Sequence, residues 1–194
     1  MCISDTRFSE ALVDGPNTDM VLGQCVLNGH RPLPAQRPRW DRVLRFCATF
    51  LGVRHAQFVL NGNKMYRRAL WPFRRALRSM GWAVECPKGQ EKDPVDPFII
   101  SRIEGLVAEV HRGREGRVVL FAHDRHYAPM LFRLLEGGGD AIVVGFTEEM
   151  SPWLLNLQES GATVLDLEYD IEAFDVALSR PYGRREWRTL SVAS

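Results

Sequence analysis

The 194-residue sequence has few cysteines, no long apolar stretch and almost no net charge. No apolar run approaches the ~18 residues of a membrane-spanning helix, and the opening MCISDTRFSE lacks the apolar centre of a signal peptide. The four cysteines form no C-x-x-C pair and have no histidine at ligand spacing, which argues against a disulfide framework or a zinc site. We therefore expect a cytoplasmic protein with reduced thiols.

Several motifs of nucleotide-binding proteins and hydrolases are also absent. The first predicted strand is not followed by G-x-G-x-x-G, and no G-x-x-x-x-G-K-[ST], D-x-D-x-T or G-x-S-x-G occurs anywhere. These absences disfavour a dinucleotide site, a P-loop, a phosphatase and a serine hydrolase. A phosphatase or another nucleotide-binding enzyme is therefore kept only as the third functional alternative.

The hydrophobic periodicity indicates an α/β protein. Strands that are apolar throughout, alternating with amphipathic helices, are typical of a parallel sheet covered on both faces. The expected strands are 9–13, 55–60, 82–86, 117–122, 141–146 and 163–167, and the expected helices are 38–52, 65–79, 95–111, 127–136 and 151–159. The Pro- and Arg-rich stretch 28–39 is predicted to be a long functional or mobile loop.

Aspartates stand where the ligands of such sheets bind, beyond the carboxyl ends of strands. Asp14 follows the first strand, Asp124 follows the fourth, and Asp96 begins the helix between the third and fourth strands. If the first and fourth strands are neighbours, these carboxylates meet at one edge. Clustered carboxylates repel, and Mg²⁺ or Mn²⁺ relieves the repulsion. Such a cation activates water and neutralises charge on a phosphodiester.

Each aspartate also has a purely structural interpretation. An aspartate after a strand is more often a helix N-cap than a ligand, so Asp124 and Asp96 could each cap the helix that follows. Asp14-Gly15-Pro16-Asn17 makes a good turn by composition alone. Only the placement of all three aspartates at one edge of the sheet favours a metal site over these structural roles.

Three segments resemble the NYN branch of the PIN-like nuclease family. Val13-Asp14-Gly15-Pro16-Asn17 is similar to its opening hydrophobic-Asp-Gly-x-Asn motif, and Lys92-Asp93-Pro94-Val95-Asp96 to its Lys-x-x-Asp segment. The stretch 118–131 resembles its most specific motif, a hydrophobic strand followed by Ser-Gly-Asp-x-Asp-Phe-x-Pro-Leu. The resemblance implies a three-layer Rossmann-like (PIN-like) fold with a mainly parallel sheet flanked by helices, over 8–170. Residues 171–194 then form a basic C-terminal extension.

The resemblance further implies a Mg²⁺- or Mn²⁺-dependent endoribonuclease. Asp14, Asp96 and Asp124 are the matching metal ligands, and Asn17 is a polar contact to metal-bound water or phosphate. The family's second Asp of Asp-x-Asp is His126 here, which as a neutral imidazole could bind metal or act as a general base. A later acid of the family corresponds to Arg102, for which Glu104 or Asp93 could substitute. These departures leave open a site that binds without cutting.

Mapping the charge shows two opposed fields. Residues 31–80, the basic segment, contain twelve Lys or Arg and only Asp41 as an acid, a formal charge of +11, whereas the rest of the chain carries −10. A solvated helix face normally mixes signs, so the unmixed charge favours a nucleic-acid surface. The predicted contacts to nucleic acid are Arg37, Arg39, Lys64, Arg67, Arg68, Arg74, Arg75, Lys92 and Arg125. Tyr66, Trp71 and Trp40 are candidates for base stacking, although core burial is expected for at least two of them.

Two functional hypotheses remain ahead of the third. The first is a metal-dependent nuclease acting on RNA, with DNA not excluded. The second is a catalytically degenerate module that binds nucleic acid or a partner on the same fold. No membrane partner is expected, and the predicted helices offer enough apolar surface for a homodimer.

Overall fold

A computed structural model describes residues 8–63, 68–89 and 93–180, which fold around a six-stranded sheet. The strands are β1 (Phe8–Asp14), β2 (His55–Val59), β3 (Ala83–Glu85), β4 (Gly116–Phe121), β5 (Asp140–Gly145) and β6 (Thr163–Asp166). The helices are α1 (Gly15–Met20), α2 (Trp40–Phe50), α3 (Trp71–Ser79), α4 (Val95–His111), α5 (Ala128–Glu136) and α6 (Pro152–Leu155). A π-helical segment, Val21–Val26, extends α1, and short 3₁₀ helices cover Pro34–Gln36, Arg125–Tyr127, Thr147–Glu149 and Asn156–Ser160.

All strand pairs are parallel, in the order β3-β2-β1-β4-β5-β6. Alternate residues of β1 enter two different cores: Ala11 and Val13 join α2 and α3 on one face, and Leu12 joins α4 and α5 on the other. This double burial explains why the strands are apolar throughout. The predicted three-layer α/β fold with a parallel sheet and flanking helices is confirmed. Strands β1 and β4 are neighbours, which is the condition for the aspartates to lie close together.

The largest departure from the predicted elements is the helix that begins directly after β1. A turn is the structural alternative that composition offers for Asp14-Gly15-Pro16-Asn17, but Asp14 caps α1 by accepting a hydrogen bond from the Asn17 backbone N–H at 3.0 Å. Pro16 in the first helical turn needs no N–H donor and suits a helix start. Composition alone did not separate a turn from this short helix.

The predicted helix over 65–79 is described only from Trp71, after a turn at 68–70, and residues 64–67 lie outside the described part. The predicted helix over 151–159 is divided between α6 and a 3₁₀ helix. The 28–39 stretch contains the Pro34–Gln36 turn.

The packed chain continues beyond the expected boundary at 170. Ile171, Ala173, Phe174 and Leu178 are buried in the core on the α2 and α3 face. Residues 181–194, most of the predicted extension, lie outside the described residues. Within the described residues, no helix has the length and apolar character needed to cross a membrane.

Candidate active site at the carboxyl edge of the sheet

The predicted site residues gather where β1 and β4 end side by side. Val13 is in register with Phe121, so Asp14 and the segment 122–127 leave the sheet at the same edge. Asp96 reaches this edge from the first turn of α4. The loops after β2 and β3 emerge here as well, because every strand of the sheet is parallel.

Asp14 is the most deeply buried of these acids, with 3% of its surface exposed. Its Oδ1 accepts the capping hydrogen bond from Asn17 N–H. A side chain at Gly15 would collide with Phe58, Leu60 and the Val59 carbonyl, so the missing side chain there lets α1 lie close to the end of β2. Asp14 is thus the N-cap of α1, and capping fixes the direction of its second oxygen.

Tyr127 joins two of the carboxyl groups. Its hydroxyl lies 2.7 Å from Oδ2 of Asp14 and 2.7 Å from Oδ1 of Asp96, and its ring is fully buried. A phenol has one proton to donate, so a second hydrogen bond requires that one carboxyl be protonated and donate to the phenol oxygen. The sequence indicates no role for Tyr127, because only the packing of the segment after β4 against α4 brings its hydroxyl to these two acids.

The pKa values of the acids reflect their crowding. Burial raises the pKa of Asp14 to about 6, helped by Asp96 and Asp93 and opposed by hydrogen bonds from Tyr127 and Asn17. The pKa of Asp96 is also raised, first by burial and then by Asp93 and Asp124, against the lowering effects of Tyr127 and His126. Burial and both carboxylates raise the pKa of Tyr127 far above its ordinary value. Among the described residues, no Lys or Arg pairs with Asp14 or Asp96.

Asp124 and His126 form the exposed side of the site. The Asp124 carboxylate accepts from the His126 backbone N–H at 3.3 Å and thereby caps the Arg125–Tyr127 turn. The His126 Nδ1 lies 3.3 Å from Oδ1 of Asp124 and 3.7 Å from Oδ2 of Asp96, and 57% of its side chain is exposed. His126 therefore lies between two of the predicted metal ligands, where the family motif has an acid.

His123, for which the sequence predicts no role, links the segment after β4 to α1 and to the end of β5. Its Nε2 accepts from Phe146 N–H at 2.8 Å, which leaves the proton on Nδ1, 3.0 Å from Oδ1 of Asn17. Burial lowers the pKa of His123 to about 4, although the Asp166 carboxylate opposes this. A side chain at Gly145 would overlap the His123 ring, so glycine there makes room for it.

The His123 network occupies one of the two polar atoms of the Asn17 side chain. The Asn17 Oδ1 accepts from the backbone N–H of His123 at 2.9 Å as well as facing its ring. This oxygen therefore links α1 to the segment after β4. Only the Asn17 amide nitrogen remains for a contact to a phosphate.

The donor chemistry of the edge fits a hard divalent cation, because Asp14, Asp96 and Asp124 offer carboxylate oxygens. The described residues nevertheless contain no group of three or more His, Cys, Asp or Glu arranged to hold a metal ion. The reason lies in the contacts: both oxygens of Asp14 are hydrogen-bonded, and Tyr127 separates it from Asp96. Asp96 and Asp124, with His126 between them, could hold a cation with the least rearrangement.

The two substitutes for the missing acid differ in position. Asp93 is close enough to raise the pKa values of Asp14 and Asp96, and its Oδ1 accepts from the N–H of Val95, the first residue of α4. Pro94 is the N-cap residue, so Asp96 does not cap its own helix. Glu104 is exposed about 12 Å farther along α4 than Asp96, given the helical rise. Arg102 pairs with Glu10 of β1 and thus has a structural partner away from the acids.

The expected nucleic-acid contacts fall into three groups. Lys64, Arg67 and Lys92 lie outside the described residues, as does Tyr66. Arg37 pairs with Asp19 at 3.2 Å, and Arg39 pairs with Asp41 and Asp175. These pairs overturn the assumption that the positive charge is unmixed, because Asp19 and Asp175 approach from outside the basic segment. Trp40 is 6% exposed and belongs to the core, so it is not a stacking residue.

The arginines of the third group have no carboxylate partner among the described residues. They are Arg68, Arg74, Arg75 and, beside Asp124, Arg125. Arg78 of α3, which is not one of the predicted contacts, also has no carboxylate partner among the described residues. Arg75 lies over the ring of Trp71, which is 58% exposed, at 5.8 Å from its centroid. Among the predicted contacts, the arginines without a described carboxylate partner are therefore Arg68, two residues of α3 and Arg125.

Neither a family model nor a curated protein sequence matches this chain. Among solved structures, the chain is similar to a protein of unknown function, VPA0982 from Vibrio parahaemolyticus RIMD 2210633, with a TM-score of 0.62 and 17% identity. The match covers 88% of this chain and 98% of that chain. At this identity the likeness shows the α/β fold alone.

Proposed function

We propose that the protein is a Mg²⁺- or Mn²⁺-dependent endoribonuclease that hydrolyses RNA phosphodiester bonds at the carboxyl edge of β1 and β4. The observation that carries the proposal is the buried Asp14, whose pKa is raised to about 6 among neighbouring acids without a Lys or Arg partner among the described residues. A fold that only needed stability would gain by replacing such a carboxyl. Its presence favours a role in holding a cation.

Each residue of the edge has a task in this proposal. Asp14, Asp96 and Asp124 would hold the cation, which supplies an activated water and neutralises the developing charge on the phosphodiester. Tyr127 orients the carboxyl groups of Asp14 and Asp96, and His123 fixes the segment that carries Asp124. His126 is exposed beside Asp124, within reach of a substrate, and its imidazole would act as the general base.

The arginines supply the binding half of the proposal. Arg68 and the arginines of α3, together with Arg125, would contact RNA phosphates, which predicts an affinity that falls steeply with salt. DNA is a second polyanion to test, and a homodimer stays a prediction. We propose a cytoplasmic location, in keeping with the thiols of Cys47 and Cys86, neither of which forms a disulfide.

Cleavage of labelled RNA with Mn²⁺ tests the proposal. Asp124→Asn and Asp14→Asn should each reduce the rate about 1000-fold, since a cation contributes several kcal/mol to the transition state. Glu136→Gln, an exposed acid at the far end of α5, is the matched control and should cut at the wild-type rate. Wild-type protein that leaves single-stranded and structured RNA intact with Mn²⁺ would contradict the proposal.

The second candidate is a degenerate module that binds RNA without cutting. The observation in its favour is Tyr127, whose hydroxyl stands between Asp14 and Asp96 and contacts both. This alternative predicts RNA binding that is unchanged by EDTA and by Asp124→Asn, with no cleavage under any metal. Tyr127→Phe separates the two, because removing the hydroxyl frees both carboxyl groups and should restore metal affinity only in a degenerate site.

A further inference from the structure

A cavity of about 610 Å³ lies beside the acidic edge, between α5, α6 and the 3₁₀ helix after α6. Its apolar lining includes Phe132, Trp153 and Leu157, and its polar lining includes Arg125, Asn156 and Ser160. Phe132 is 41% exposed and Trp153 is 65% exposed. A volume of this size is typical of small-molecule sites. The recess therefore presents two large aromatic rings to solvent side by side.

The recess is fixed relative to the acids. The Ser151 N–H donates to the carbonyl oxygen of His123 at 3.0 Å, and the Ser151 hydroxyl caps α6 by accepting from Trp153 N–H. His123 directly precedes Asp124, and Arg125 directly follows it. Trp153 is thus anchored through Ser151 to the same segment that carries Asp124.

The polar groups of the recess are available to a ligand. Arg125 is exposed and forms no ion pair with a described carboxylate, and the exposed side chains of Asn156 and Ser160 have no hydrogen-bond partner among the described residues. These groups together match a nucleobase and its phosphate. The base would stack on the aromatic ring, its edge would hydrogen-bond to the amide and the hydroxyl, and the phosphate would pair with the guanidinium.

We propose that this recess binds an unpaired base of a single-stranded RNA, with Trp153 as the stacking platform and Arg125 as the contact to the adjoining phosphate. The proposal rests on the function proposed above, and it adds a substrate class: RNA whose bases are free rather than paired. A base held here leads its phosphate past Arg125 toward Asp124. Duplex RNA cannot use the recess, because its bases are stacked and paired.

Fluorescence polarisation of an end-labelled single-stranded RNA, measured in EDTA with the full chain, tests the recess without requiring catalysis. Trp153→Ala should weaken the Kd by about tenfold, Trp153→Phe should retain most of the affinity because phenylalanine also stacks, and Phe132→Ala should weaken it less than Trp153→Ala. Phe50→Ala is the matched control: Phe50 is 73% exposed at the far end of α2 and should leave the Kd unchanged.

A duplex of the same sequence supplies the second measurement. Trp153→Ala should leave the Kd for the duplex unchanged. An unchanged single-strand Kd, or an equal loss on duplex and single strand, would overturn the proposal. So would a Trp153→Ala variant that binds RNA normally but sediments as a monomer where the wild type is a dimer, because the recess would then be a contact between copies.

The two proposals fail in different ways. RNA binding through Trp153 without any cleavage would support the recess proposal and contradict the nuclease proposal. Cleavage in Mn²⁺ with the same KM in wild type and Trp153→Ala would support the nuclease proposal and contradict the recess proposal.

Discussion

Two groups of buried carboxyl groups in this fold are treated in opposite ways. Glu148 and Glu168, 3% and 8% exposed, are both contacted by Arg180, at 2.6 and 2.7 Å. Asp14 is equally buried and Asp96 is half-buried, yet apart from the Asn17 N–H their carboxyl oxygens contact, within the described part of the chain, only neutral Tyr127 and His126. An arginine neutralises the first group, and no described Lys or Arg neutralises the second.

Asp166 extends the comparison at the same edge of the sheet. It is 3% exposed at the end of β6, and its oxygens accept from the backbone N–H groups of Thr147, Glu168 and Tyr169. The fold therefore has two means of satisfying a buried carboxylate, an arginine or several backbone donors. At Asp14 and Asp96 it uses neither fully, which is the pattern expected where an external cation completes the charge balance.

Removing the arginine from the neutralised group should have the largest effect on stability. Arg180→Met leaves Glu148 and Glu168 buried without a counter-charge, and we expect the free energy of unfolding to fall by about 4 kcal/mol. Urea denaturation at pH 7 measures it. Adding Glu148→Gln and Glu168→Gln to Arg180→Met should recover most of the loss. A triple variant that is no more stable than the single one would show that Arg180 acts through packing instead.

Acid should destabilise the protein through His123. Its pKa is lowered to about 4 in the folded state against about 6.5 unfolded, so the unfolded chain binds the proton first. The stability that this neutral imidazole contributes is complete above pH 6.5 and is lost as the pH falls toward 4, by about 3 kcal/mol.

Asp14 opposes His123 over part of this range, since its raised pKa favours protonation of the folded state as the pH falls below about 6. The His123 effect is therefore measured by urea denaturation in an Asp14→Asn background. An NMR titration should show the ring neutral, with its proton on Nδ1, down to about pH 4. A His123 ring that titrates at its ordinary pKa would contradict this contribution of His123 to stability.

The sequence predicted the strands, the longer helices and the edge at which the acids meet, because apolar runs and the carboxyl-end rule are local or topological signals. It did not predict Tyr127, whose hydroxyl meets Asp14 and Asp96 only through the packing of segments far apart in the chain. The local count of charge also omitted partners that are distant in the chain. Arg37 pairs with Asp19 and Arg39 pairs with Asp175, and neither acid lies in the basic segment.

The recess containing Trp153 was missed for a related reason. A tryptophan in a short amphipathic segment reads as a core residue, and only its exposure beside Arg125 separates it from one. Trp40, a candidate for base stacking or for core burial, is buried, whereas Trp153 is exposed. Residue type alone therefore says little about burial.

The unfolding of wild type and Asp14→Asn at pH 7.5, with and without Mn²⁺, tests the central claim most directly. Asparagine is an equally good N-cap and removes the buried charge, so without metal Asp14→Asn should be more stable than wild type by about 2 kcal/mol. Below pH 4, where Asp14 is protonated in both states, that advantage should vanish. Mn²⁺ should stabilise the wild type, by about 2.7 kcal/mol at a hundredfold excess over its Kd, and should stabilise Asp14→Asn less, because one of the three carboxylates is gone. An Asp14→Asn variant that is less stable without metal, or a Mn²⁺ effect of equal size in both proteins, would contradict the claim that these carboxyl groups are kept for a cation.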